Sequence, residues 1–181
     1  MKASRVWHGS REGGTISATE LAGESPAPGK GSLVAETTRN ADVVWEGNLL
    51  KGKGTFNVGS GSMKDMAVSW PARTEEPGGK TSPEELIAAA HASCFAMAFS
   101  NTLATNSFEP KRLEVRAVVT FADKPGGGKM ISKSELRVRG KVDGISDDKT
   151  FAEWAKKGEE GCPVSNALRN NVKISVDAKL L

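Results

Sequence analysis

The amino-acid sequence predicts an α+β fold, and three observations carry that prediction. Segments with period-two alternation lie on both sides of one long alanine-rich helix, so strands are grouped before and after it. That helix opens on a capping signal, Ser82-Pro83-Glu84-Glu85. Two of the strands are joined by Pro125-Gly126-Gly127-Gly128, a turn signal that makes them an antiparallel hairpin.

The first strands are expected at about 42–48 and 52–58, joined by a tight turn around Leu50-Lys51, with a third from Asp65 to Trp70. Pro71 breaks the alternation, and a loop to Lys80 carries Arg73. Ser82 is the expected N-cap of the long helix, Pro83 its first residue and Glu85 the reciprocal partner of the cap, leaving Glu84 spare. The helix should run to about Leu103 with Leu86, Ala90, Cys94 and Met97 on one stripe and Ile87, Phe95 and Phe99 near it. Met97 and Phe99 read as core, and the many alanines allow a second helix to approach closely. Strands at 113–121 and 131–142 follow. A helix at about 147–159 then places Phe151, Trp154 and Ala155 on its apolar side. Cys162 is the N-cap of a short helix begun by Pro163, and a final strand covers 172–178.

Residues 1–40 differ in composition, dense in Gly, Ser, Thr and Pro without a sustained period. They read as an N-terminal extension, either a flexible arm or a segment that orders on a partner subunit, ahead of a domain over 41–181. A chain of 181 residues can bury a core without metal or disulfide staples. Its 25 basic and 22 acidic residues are interspersed, which does not point to nucleic acid. The apolar run Leu86 to Phe99 is short for a membrane span, so no membrane is expected. No apolar run follows the basic N-terminal residues, so a cytoplasmic, reducing setting is expected. Two cysteines are too few for a disulfide scaffold there, and a catalytic, metal-binding or inert pair remains.

Cys94 and Cys162 have different settings. A thiol reacts as thiolate, and an apolar helix raises the pKa of Cys94, so it needs a cation from outside its helix. Cys94 lies about three turns past Pro83, beyond the reach of the helix dipole. Arg73 is the candidate cation, because guanidinium stays charged when partly buried, and Glu84 could orient it bidentately. Ten residues at about 1.5 Å each separate Glu84 from Cys94 along one helix. The two cannot touch within it. Either Arg73 spans the gap or Glu84 comes from an antiparallel helix of a second copy, which predicts a dimer with sites at the subunit boundary. Cys162, at an N-cap, faces free N–H groups that favour thiolate. His91, three residues before Cys94, reads as a satisfied core histidine; a hydrolase base or a zinc ligand are its other readings, without the supporting spacing either would need.

The run Thr81-Ser82-Pro83-Glu84-Glu85-Leu86-Ile87-Ala88-Ala89-Ala90-His91-Ala92-Ser93-Cys94-Phe95-Ala96-Met97-Ala98, with Gly161-Cys162-Pro163-Val164-Ser165, resembles the OsmC/Ohr family of thiol-dependent peroxidases. Trp45-Glu46-Gly47 and Gly52-Lys53-Gly54 fit the first hairpin of its osmotically inducible branch. The resemblance covers about 41–181 and leaves 1–40 without a counterpart. It implies an intertwined homodimer of antiparallel sheets packed around long central helices. It also implies reduction of organic hydroperoxides in oxidative or osmotic stress defence, with no haem, flavin or metal. Cys94 would be the peroxidatic cysteine and Cys162 the resolving one, joined in a disulfide that an external dithiol, of lipoyl type or another small kind, reopens. Arg73 and Glu84 match the family's activating pair. Two other classes stay open: a redox-sensing or ligand-binding scaffold without multiple turnover, and a cysteine hydrolase using His91.

Overall fold

The computed structural model describes residues 36–181, and residues 39–181 form one compact unit. The expectations for the N-terminal extension fall, over 1–35, outside the described residues.

Strands β1 (Ala41–Glu46), β2 (Lys53–Val58) and β3 (Met66–Val68) form an antiparallel sheet in that order. The β1–β2 turn needs Gly47 at φ +86°, a backbone region that side chains with a Cβ rarely enter. Gly54 faces Trp45 across the pair, and a Cβ there would lie 2.8 Å from the indole. Leu50 and Lys51 fall inside this turn, while β3 is shorter than the expected 65–70 because a helix claims its end.

That helix, α1 (Trp70–Thr74), replaces the expected loop around Arg73. Ser69 caps it by accepting from the Ala72 N–H at 3.3 Å, and Pro71 occupies the first turn, where its missing N–H costs nothing. The proline starts a helix here and does not break a strand.

Helix α2 (Pro83–Thr105) is the central element. Ser82 accepts the Glu85 N–H at 3.2 Å, as expected of the N-cap. The reciprocal half of the cap is different: the Glu85 carboxylate takes the Thr81 hydroxyl at 2.9 Å. The buried stripe is also different. His91, Phe95, Phe99 and Leu103, each 0% exposed, face the core at four-residue spacing, whereas Met97 is 67% exposed. Alanines make the helix apolar all round, so periodicity could not choose the inner face and the bulky residues did. Burying each phenylalanine contributes roughly 1.5–3 kcal/mol. By length and composition α2 is long and apolar enough to cross a membrane, longer than the expected run, yet its aromatic face fills the core of this unit.

The core's other wall is the sheet of β4 (Glu109–Asp123), β5 (Lys129–Asp143) and β6 (Lys173–Leu180). β4 and β5 are the expected antiparallel hairpin, closed by the Lys124 N–H to the Gly128 carbonyl at 3.0 Å. β6 pairs with β5 in parallel, so the sheets are not wholly antiparallel as expected. The crossover through α3 (Asp148–Glu160) and α4 (Pro163–Leu168) returns the chain to the same end of the sheet and forces this direction. Leu136, Val138 and Val142 point inward from β5 onto α2 and α3. Cations predominate on the outer face, with Arg112–Glu114 at 2.7 Å and Arg139–Asp177 at 2.8 Å among its ion pairs. Phe99 meets Phe151 of α3 at 5.3 Å, and Trp154 packs edge-on against Phe108 at 5.2 Å, as the expected apolar side of α3 requires.

Candidate active site

Two groups of functional side chains sit at different heights along α2. The upper group is at its N-terminus. Arg73, on α1, donates from Nε to both Glu84 carboxylate oxygens at 3.0 and 3.1 Å, and from Nη2 to Oε1 at 2.7 Å. The Arg73 guanidinium also lies over the Phe121 ring at 4.1 Å and near Trp70 at 5.9 Å. Trp70 and Phe121 meet edge-on at 6.2 Å, so an aromatic corner holds the cation from behind. The Arg73 and Glu84 side chains keep 28% and 10% of their exposure. Such a fork is planar, directed and half open, able to present its remaining N–H groups to an anion.

The lower group holds the thiols. Cys94 on α2 is partly exposed and Cys162 is fully buried; both are free. The Cys162 side chain and the Val164 backbone N–H are the neighbours that act on the Cys94 thiol. Burial pushes the Cys94 thiol up, the Val164 N–H pulls it down, and the adjacent Cys162 thiol pushes it up again, leaving it above its usual value. Cys162 is the N-cap of α4: its Sγ accepts the Ser165 N–H at 3.5 Å. The first turn of α4, with Val164 and Ser165, therefore lies beside both sulfurs.

His91 is buried between them and the sheet, with Nδ1 2.7 Å from Ser134 Oγ and Nε2 2.8 Å from Ser165 Oγ. Burial lowers its pKa, against the opposing pull of Glu159. It is the satisfied core histidine of the sequence reading. Both ring nitrogens are occupied by hydroxyls, which leaves none to serve Cys94 as a base. Among the described residues no set of three His, Cys, Asp or Glu side chains is placed to hold a metal ion. Ser134 and Ser165 were missed in the sequence; Ser134 left a trace, a polar residue at an inward position beside Leu136 and Val138.

The fold thus brings Cys94 to Cys162 and Arg73 to Glu84, but within one chain it leaves the pairs about 15 Å apart along α2. The Arg73–Glu84 pair lies wholly within one chain, with three Arg73 hydrogen bonds going to Glu84.

A two-thiol site set between a capped helix and an α+β core, with a separate arginine–carboxylate fork, defines a class of cysteine-redox protein. The sequence pattern of the OsmC-like protein family matches residues 76–177. Peroxiredoxin OsmC of Escherichia coli strain K12 is 38% identical over 135 residues, 75% of this chain and 92% of the relative. Organic hydroperoxide resistance protein-like 1 of Staphylococcus saprophyticus is 29% identical over 117 residues, 65% of this chain and 81% of the relative. The crystal structure of the organic hydroperoxide resistance protein OhrB of Bacillus subtilis superposes with a TM-score of 0.62 at 26% identity, covering 77% of this chain and 98% of that one. The chain belongs to the OsmC/Ohr family.

Proposed function

We propose that this chain is a cysteine-based peroxidase that reduces organic hydroperoxides to alcohols. The observation that carries the reading is the adjacency of the Cys94 and Cys162 thiols at the first turn of α4, whose Ser165 N–H caps the Cys162 sulfur. The relatives named above, a peroxiredoxin and organic hydroperoxide resistance proteins, point to the same substrate class.

The Cys94 thiolate attacks one peroxide oxygen, an S–O bond forms as the O–O bond breaks, and the alkoxide takes a proton and leaves as alcohol. Cys94 is left as sulfenic acid. The Cys162 thiol then forms the S–S bond; its proton and the departing hydroxide leave as water. A dithiol of lipoyl or other small type restores both thiols by exchange and is itself oxidised. Cys162 lies beside Cys94, so the sulfenic acid forms next to its partner.

The thiolate and the leaving alkoxide both need positive charge, and among the described residues no cation acts on the raised Cys94 thiol. A second copy supplies it in our reading. Large apolar side chains are exposed on α2 and β1, with Met97 at 67%, Val43 at 63% and Val44 at 64%. A groove of about 590 Å³ runs beside Met97, Ser100, Ala104 and Leu113. A second copy seated there with its α2 antiparallel would bring its own Arg73 and Glu84 beside Cys94. A cytoplasmic setting is part of this reading, and so is the role in oxidative or osmotic stress defence that the family resemblance implies.

Mass mapping after one equivalent of cumene hydroperoxide tests the reaction. A Cys94–Cys162 disulfide and one equivalent of alcohol are expected; two free thiols would overturn it. A redox sensor is the second reading, favoured by the upshifted Cys94 thiol. It forms the same disulfide but fails to turn over repeatedly when excess dithiol is supplied.

A further inference from the structure

The three-member chain Ser134–His91–Ser165 is buried, complete and unused by the reaction as described. Neutral imidazole donates from one nitrogen and accepts at the other, and each hydroxyl can take either part, so no member is left unsatisfied. Stability alone does not account for it. Replacing all members of a buried hydrogen-bonded set by apolar groups of the same shape is often close to neutral, so such a set is better explained by the geometry it imposes.

The geometry it imposes is local to the thiols. His91 lies one turn before Cys94 on α2, on nearly the same face. Its Nε2 holds Ser165, whose own N–H points at the Cys162 sulfur at 3.5 Å, and the N–H of Val164, the residue before it, is the backbone group that acts on the Cys94 thiol. His91 Nδ1 is fixed in turn to Ser134 on β5, so the sheet, α2 and the first turn of α4 meet at one imidazole. We infer that His91 is a positioning residue for both thiols: by tying Ser165 to Ser134 it holds the first turn of α4 at the height on α2 where one turn of backbone serves Cys94 and Cys162 together. Without the tether, α4 keeps its N–H groups but loses their aim.

The consequence for turnover rests on the peroxidase reading; the consequence for Cys94 reactivity does not, so the two are tested separately. Ser165→Ala removes only the hydroxyl that His91 holds and keeps the N–H groups, and His91→Phe removes the tether while filling its space. Mass-resolved alkylation of Cys94 by iodoacetamide at pH 8 should be about tenfold slower in Ser165→Ala, as the Val164 N–H drifts from the sulfur. After one equivalent of peroxide, the Cys94 sulfenic acid trapped by dimedone should live about tenfold longer, since Cys162 is no longer aimed at it. His91→Phe should match both changes. A Ser165→Ala protein with parental circular dichroism and melting temperature, and with alkylation within twofold of the parent, overturns the inference. If the parent protein leaves peroxide untouched, the peroxidase reading fails, while the alkylation comparison still decides the role of His91.

Discussion

Arg73 is clasped by Glu84 of its own chain, at 2.7 to 3.1 Å, at the N-terminus of α2, whereas Cys94 sits at the middle of that helix. The pair is ready to bind an anion, yet the thiol it should serve is about 15 Å away in the same chain. The fork must be intact wherever it acts. Arg73→Lys keeps the charge and loses the planar fork, so kcat/KM for cumene hydroperoxide should fall by roughly 10²-fold, the effect of losing one directed donor to developing negative charge. Glu84→Gln should fall less and in the same direction, since it loosens the arginine without removing it. Steady-state kinetics of the two variants check the order.

The cysteines should divide cleanly between the two chemical steps. Cys94→Ser should abolish peroxide consumption. Cys162→Ser should complete about one turnover and accumulate sulfenic acid at Cys94, because chemistry at the first sulfur does not require the second. Rapid-quench mass spectrometry distinguishes the two.

Acid should act through His91. Its folded pKa is lowered, so the stability it contributes is present above the unfolded value of 6.5 and is lost as pH falls through the folded value. The carboxylates whose pKa values are lowered, Asp147 and Asp177, act only below their usual 3.8, so the range from about 6.5 down to about 4.5 isolates the histidine. Melting temperature should decline across that range in the parent and stay flatter in His91→Phe.

Helix packing sets a further expectation. A Cβ at Gly158 of α3 would lie 2.9 Å from both Cα and Cβ of Phe99, backbone and stem that cannot swing aside. Gly158→Ala gains helix propensity but must part α2 from α3, for a net loss of about 1–3 kcal/mol by denaturant unfolding.

Much of this fold was legible because its signals are local. Alternation plus three consecutive glycines marked the β4–β5 hairpin, and Ser82-Pro83 marked the start of α2. What escaped was set by distant partners. Pro71 looks the same whether it ends a strand or opens a helix, and only the Ser69 cap separates the two. The inner face of α2 was hidden because alanine is small on every side, so the packing of Phe95 and Phe99 on α3 and the sheet decided it. The parallel direction of β6 follows from where the crossover helices end. In the site, the N-cap of Cys162 could be read from Pro163, and the Arg73–Glu84 ion pair from charge and spacing. That the pair forms within one chain, and that His91 joins residues 43 and 74 positions away, needed the tertiary structure.

If Cys94 draws its arginine from a second copy, two inactive variants should complement each other when mixed. Cys94→Ser and Arg73→Ala chains are unfolded together, refolded as a mixture and assayed for peroxide consumption. In the mixed dimer, the intact Cys94 of one chain faces the intact Arg73 of the other, so roughly a quarter of parental activity should return, half the dimers being mixed and each holding one whole site. A mixture as inactive as its components, with mixed dimers present by native mass spectrometry, would contradict the shared site.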